Sequence, residues 1–307
     1  VEGNHPQAME ISNLPFNHLI FTGSPKSGKV IMANAAANLT PVTLELGGKS
    51  PVVVFDDYDI EQAAQRIAHG KGFNSGQICI APDYAFVPEE KVDQFVAAVS
   101  HAHKEMYTTI EGNHDYTSLV DDAQAQRFHE LLDDARQKGA VITQCLEDGE
   151  GRKTPLYIAT QLTPEMRICQ EEIFGPLLPV HGYQNIEQVI DYITQRPRPL
   201  ACYLFSHDQQ QREILLTRTH SGGVTINDWG WHVLNHSVPF GGVGNSGIGN
   251  YHGEEGFREL SHARSVFQMR KWFPIELFAP PYGNPIQKLA VRFFVGKPDP
   301  TLKNQTK

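Results

Sequence analysis

Apolar positions along this chain recur in two alternating periods. HLIFTG (18–23) is a short run of β-formers, with Ser24 placed to cap a helix and Pro25 to open its first turn. The pattern predicts a strand, a tight turn and a helix. VTLEL reads as a buried strand ending at a double glycine, and PVVVF (51–55) as the next strand. After Asp59, the residues Ile60, Ala63, Ala64, Ile67 and Ala68 fall on one helical face, and the pattern lapses at GKGFNSG. YAFVP (84–88) predicts another strand, followed by a helical stripe of Val92, Phe95, Val96 and Val99. A further helix carries Phe128, Leu131, Leu132 and Ala135, with Gly139 placed to end it and a strand expected before Cys145. The segment Ile186, Val189, Ile190, Ile193 is helical up to the RPRP break. LACYLF (200–205) is then a strand, SHDQQQREILL a capped helix and GGVTIN (222–227) a closing strand. Strands and helices in alternation imply an α/β fold with a parallel sheet. From Pro239 the run PFGGVGNSGIGNYHGEEG is too rich in glycine for a long regular element, and the tail from Lys271 is rich in proline and aromatics.

Composition narrows the partners. With 307 residues the chain is long enough for two domains or one large one. A formal charge of −9 without a basic stripe excludes nucleic acid held through its phosphates. No apolar run reaches the roughly 18 residues of a membrane span, and the first residues lack a signal peptide's basic and apolar regions. The expected setting is the cytoplasm. Four cysteines without a C-x-x-C pair predict reduced thiols rather than a zinc knuckle or disulfide framework. Opening on Val1, the sequence reads as the middle of something longer.

FTGSPKSGKV comes within one residue of a nucleoside-triphosphate loop: Gly23, Gly28 and Lys29 are in register, but Val30 replaces the hydroxyl that reaches Mg²⁺. Cys79, in FNSGQICIAPDY, follows a helix and a Gly76 turn, which suits a nucleophile held on a loop; a small buried hydrophobe reads the same way. Cys145 and Cys169 have acidic neighbours and Cys202 sits in an apolar strand, so those three are assigned to packing. Glu45, flanked by leucines, has the surroundings that raise a carboxyl pKa toward that of a general base, with an ion pair to Lys49 as the alternative. QEEIFGP offers Glu172 to a ribose diol and Phe174 to a flat ring, or else surface glutamates and a core phenylalanine. His101 and His103 face different ways on a helix, His232 and His236 lie outside any helical pattern, and no metal site is expected.

In the order FTGS, ELGGKSP, FNSGQIC, EEIFGP and PFGGVGNSGIG, these motifs resemble the aldehyde dehydrogenase superfamily over essentially the whole chain. PFGGVGNSGIGNYHGEEGF and PPYG resemble its class 3-like branch and, within it, the coniferyl aldehyde dehydrogenases. The resemblance implies a parallel-sheet catalytic domain plus the C-terminal remnant of a Rossmann-type dinucleotide-binding domain. It divides the chain into 1–47 (end of the dinucleotide domain), 48–246 (catalytic domain) and 247–307 (return and oligomerisation tail). It implies Cys79 as nucleophile and Glu45 as the base that activates hydrolytic water. Gly23, Ser24 and Gly28 would take the pyrophosphate of NAD or NADP at a helix N-terminus, the physics that explains the near-P-loop without Mg²⁺. Glu172 would hold the nicotinamide ribose and Phe174 brace the ring, with Phe240 and Trp231 beside a small aldehyde, aromatic and coniferaldehyde-like. The complete protein is expected to be a homo-oligomer, a dimer.

The resembled family carries a long section before FTGS that includes the asparagine of its oxyanion hole and the residues binding the adenosine ribose. No P-W-N-F-P or K-P-S-E type run occurs here. Two expectations follow: an aldehyde dehydrogenase active once completed, or a catalytically silent fragment serving in folding or assembly. A P-loop NTPase fails for want of the hydroxyl and of a Walker B strand.

Overall fold

The computed structural model describes residues 5–269 and 275–296; the ends of the first and third expected segments therefore lie outside the described residues. The chain divides into two units, one running to His262 and one from Ala263.

The first unit opens with α1 (His5–Ile11), β1 (Leu19–Gly23), α2 (Pro25–Ala36) and β2 (Val42–Leu46). β1 and β2 pair in parallel, as their strand–helix–strand connection favours. There follow β3 (Pro51–Val54), α3 (Ile60–Gly72), β4 (Tyr84–Pro88), α4 (Val92–Tyr107), α5 (Asp122–Gln137), β5 (Val141–Gln144) and β6 (Tyr157–Thr160). The short α6 (Arg167–Gln170) precedes β7 (Leu177–Tyr183), α7 (Ile186–Thr194), β8 (Ala201–Phe205), α8 (Gln209–Arg218) and β9 (Gly223–Ile226). The glycine-rich stretch holds only the two-residue β10 (Gly247–Ile248), and α9 (Gly253–Glu259) closes the unit.

Two sheets result. The larger has the order β5-β6-β7-β4-β3-β8-β9 and is parallel throughout except for β5 against β6. The period of two within β3 explains its layers. Val52 and Val54 pack with Ile67, Phe95 and Val99 of α3 and α4, while Val53 packs with Val189, Ile190 and Leu215 of α7 and α8. Covered on both faces, the central strands are continuously apolar, as a parallel sheet requires. The smaller sheet, β1-β2-β10, carries α2, whose Gly28 lies so close to β2 that a Cβ there would meet Leu46 at 2.7 Å. Helix starts follow the sequence pattern: Ser24, Asp59, Asp121, Asn185 and Asp208 each cap a helix through the side-chain oxygen.

The second unit holds a 3₁₀ turn, Ile275–Phe278, and α10 (Pro285–Phe294). Asn284 and Gln287 form a capping box, and the buried Gln287 amide donates to the carbonyls of Leu277 and Ala279.

Candidate active site

Three segments carry the main candidate residues: the turn after α3, the end of strand β2 and the loop after α6. α3 gives way to one 3₁₀ turn, Phe73–Gly76, in which Asn74 (φ 50°), Ser75 (φ 53°) and Gly76 (φ 71°) are all left-handed. Left-handed backbone costs a non-glycine residue about 1–2 kcal/mol, so the turn needs external support. It receives it from hydrogen bonds. Ser75 Oγ donates to Thr117 O, Gln77 Nε2 donates to Asn74 O and Ser118 O at 3.1 Å, and Gln77 Oε1 accepts from Val120 N at 2.9 Å. Gly76 is irreplaceable for a second reason: a Cβ would stand 2.6 Å from Gly175 O. Gly76→Ala is therefore expected to lose about 2–3 kcal/mol, a fall of roughly 5–10 °C in Tm by calorimetry.

This turn delivers Cys79, half-buried, onto the wall of a cleft. Its thiol pKa is pushed up to about 12, first by burial and then by the nearby carboxylates Glu45 and Glu172. The sequence leaves Cys79 between a loop nucleophile and a small buried hydrophobe; in the structure its thiol lines the cleft and is protonated at neutral pH.

Glu45 sits in β2, paired with Thr22 of β1 on one side and Gly247 of β10 on the other. It is 2% exposed, and neither carboxyl oxygen has a hydrogen-bond partner. Burial raises its pKa to about 8. The alternative ion pair with Lys49 is absent, because Lys49 is committed to Asp83.

The third loop, Glu171–Gly175, follows α6. Glu172 presses its carboxylate against Gly47, where a Cβ would lie 2.3 Å from both oxygens, and accepts a hydrogen bond from the Gly48 amide. Burial and then Asp83 raise its pKa to about 7, against the lowering effect of that amide, Lys49 and Arg127. Phe174 is left-handed (φ 49°) and 40% exposed, an arrangement that turns an aromatic ring outward from the loop.

Ser24 caps α2 with extended backbone (φ −75°, ψ 153°), its Oγ accepting from Ser27 N at 3.2 Å. Gly23 and Ser24 line the same cleft as Glu45, Cys79, Glu172 and Phe174, a space of about 1210 Å³. Gly28 does not line it; its amide donates to Ser24 O at 2.9 Å, and its missing side chain serves the packing of α2 on Leu46. Phe240 and Trp231 are also absent from the cleft lining. Phe240 is buried against Tyr251 and His252, and Trp231 stands 52% exposed on a 3₁₀ turn after the buried Trp229. The cleft further includes Asn245 and Arg127, neither of which the sequence reading assigned a role, the first in the glycine-rich motif and the second brought in only by the fold; Lys49, read as a partner for Glu45, lines it as well. Among the described residues no group of three or more histidine, cysteine or acidic side chains is arranged to hold a metal ion, and no helix is long and apolar enough to cross a membrane.

The fold and this cleft define a member of a known family. The aldehyde dehydrogenase family profile matches residues 7–266, and the chain belongs to that family. A coniferyl aldehyde dehydrogenase of Pseudomonas sp. strain HR199 is 47% identical over 258 residues, covering 82% of this chain and 54% of that protein. The rat dimeric NADP-preferring aldehyde dehydrogenase is 41% identical over 266 residues, 86% of this chain and 58% of that protein. Among solved structures, the substrate-bound Staphylococcus aureus AldH superposes with a TM-score of 0.85 at 37% identity, over 95% of this chain and 64% of that one. The chain thus spans less than two thirds of the length of the relatives it matches.

Proposed function

We propose that this chain carries the catalytic centre of an NAD(P)-dependent aldehyde dehydrogenase that converts an aldehyde to its carboxylic acid. The observation that carries the reading is the convergence of Cys79, Glu45 and Glu172 on one cleft, close enough for both carboxylates to raise the thiol pKa. A dinucleotide fits the residues present: a Ser24-capped helix N-terminus suits a pyrophosphate, and the side-chain-free Gly47–Gly48 segment leaves Glu172 for a ribose diol. Gly23 and Ser24 would face the phosphates, Glu172 the ribose and Phe174 the nicotinamide ring, while Gly28 supports them by packing. When bound, the nicotinamide supplies a two-electron hydride acceptor.

The chain's own residues do the rest. Glu45, with a pKa of about 8, takes the Cys79 proton as sulfur bonds to the aldehyde carbon and the carbonyl π pair moves to oxygen. Loss of the carbon-bound hydrogen with its electron pair restores the carbonyl and leaves a thioester on Cys79. Glu45 releases that proton to solvent and then draws another from water, which attacks the thioester; the C–S bond breaks, Glu45 returns its proton to the Cys79 sulfur and the acid leaves. An aromatic, coniferaldehyde-like substrate is favoured by the identity to the Pseudomonas enzyme, whereas Phe240 and Trp231, outside the cleft lining, are given no part in holding it. The rat relative's name supports NADP as well as NAD and a dimeric assembly. Reduced free thiols fit a cytoplasmic location.

The test is formation of reduced nicotinamide from coniferaldehyde and simpler aldehydes, with NAD and NADP supplied separately. Turnover rising with pH through about 8 is expected as Glu45 ionises. Dinucleotide binding without turnover, under conditions where a complete relative is active, would favour the silent, assembly-only reading.

A further inference from the structure

Lys49 and Asp83 take no part in the chemistry above, yet each lies four residues beyond a member of the catalytic pair: Lys49 after Glu45, Asp83 after Cys79. The two side chains meet as an ion pair, 11% and 4% exposed. Each also reaches the third loop. Lys49 Nζ donates to the carbonyls of Ile168 (2.8 Å) and Glu171 (2.9 Å), and the second oxygen of Asp83 accepts from Ile173 N at 2.9 Å. The carbonyl before Glu172 and the amide after it are therefore both held by this one pair. From the other side, Arg127 donates to the carbonyls of Glu172 (2.5 Å) and Ile173 (2.9 Å).

A buried ion pair is weak evidence for stability, since desolvation offsets most of its attraction. Its worth here lies in geometry, because it references the base loop, the nucleophile loop and the Glu172 loop to a single point. We propose that Lys49 and Asp83 are positioning residues that fix the Glu171–Phe174 turn, and so set where Glu172 and Phe174 present a nicotinamide riboside to Cys79. The inference rests on the dinucleotide reading above.

The two partners are not equivalent. Lys71, 1% exposed, is a second buried ammonium whose main favourable charge is Asp83. Removing Lys49 leaves Asp83 still faced by Lys71, whereas Asp83→Asn removes the main counter-charge of two buried ammonium groups and leaves them only Glu172. Lys49→Met is accordingly the variant that should fold.

The experiment titrates NAD and NADP into the full chain by calorimetry for wild type, Lys49→Met, Glu172→Gln and the double variant. Lys49→Met is expected to weaken dinucleotide binding about tenfold alone and less than twofold in the Glu172→Gln background, because it acts through Glu172. Lys49→Arg should recover part of the loss. Equal losses in both backgrounds, or no loss in wild type, would overturn the assignment. Should wild type bind neither dinucleotide, the cofactor reading falls, and amide exchange decides the positioning role separately. Faster exchange at Ile173 in Lys49→Met, with α3 and α4 still protected, supports it; unchanged exchange at Ile173 refutes it.

Discussion

Replacing Cys79 by alanine is expected to lower aldehyde oxidation by at least about 10³-fold while leaving dinucleotide affinity within about twofold of wild type. The reason is positional as well as chemical. Cys145 and Cys202 are buried in apolar cores, and Cys169, which also lines the cleft, is only 2% exposed, so none of them offers a comparably accessible thiol in its place. Removal of the thiol also removes the group whose ionisation Glu45 and Glu172 oppose, so the cleft itself should be preserved. Steady-state turnover and calorimetric binding measured side by side check both halves. Turnover near wild type would end the nucleophile assignment.

The second large effect is expected from Glu45→Gln, and it reads out twice. In kinetics, loss of the base should slow both thiol attack and thioester hydrolysis, lowering the steady rate by about 10²–10⁴-fold without a burst of reduced nicotinamide. In stability the change runs the other way. The folded-state pKa of about 8 lies above the ordinary 4.5, so between these values the folded chain keeps a proton that the unfolded chain releases. The contribution of Glu45 is fully present below about pH 4.5 and is lost as pH rises through 8. Glutamine has no such loss, and the variant is expected to melt higher than wild type at pH 8 and above, with the gap closing toward acid. Calorimetric scans across that range provide the measurement; a variant that melts lower at every pH would contradict the buried, unpartnered carboxyl.

Much of the fold was legible because local signals and tertiary demands agree. The strand at 84–88, the helix cap at Ser24 and the helix starts at Asp59 and in SHDQQQREILL stand where the residue patterns put them. β6 and β7 carry no such signal. β7 contains Pro179 and Gly182, both signals against a strand; Pro179 is paired with Ala159, and Gly182 is needed because Glu89 and Val92 approach to 3.2 Å of where its Cβ would be. β6 is four residues without alternation, recognisable only once β7 lies beside it. At the site, residue types pointed to Cys79, Glu45 and Glu172, but not to the partner of Lys49. Local sequence offers Glu45, four residues away, and long-range folding supplies Asp83 instead. That exchange leaves Glu45 unpaired where burial raises its pKa, a property no spacing rule reveals. Gly28 shows the converse: the motif assigns it to phosphate, while the structure uses its bare Cα against Leu46.

The protonated state of Cys79 bears on how long the chain survives. Oxidants attack thiolates far faster than thiols, and an open cleft of about 1210 Å³ admits small peroxides freely. A pKa near 12 against an ordinary 9.0 leaves roughly a thousandfold less thiolate at neutral pH than a free cysteine carries. The sulfur thus sits in reach of solvent but on the lowest rung of its oxidation ladder, and becomes reactive only while a base and an electrophilic carbon together draw off its proton. Resistance of this thiol to peroxide, and its proposed activation by Glu45, both follow from the same burial and neighbouring carboxylates.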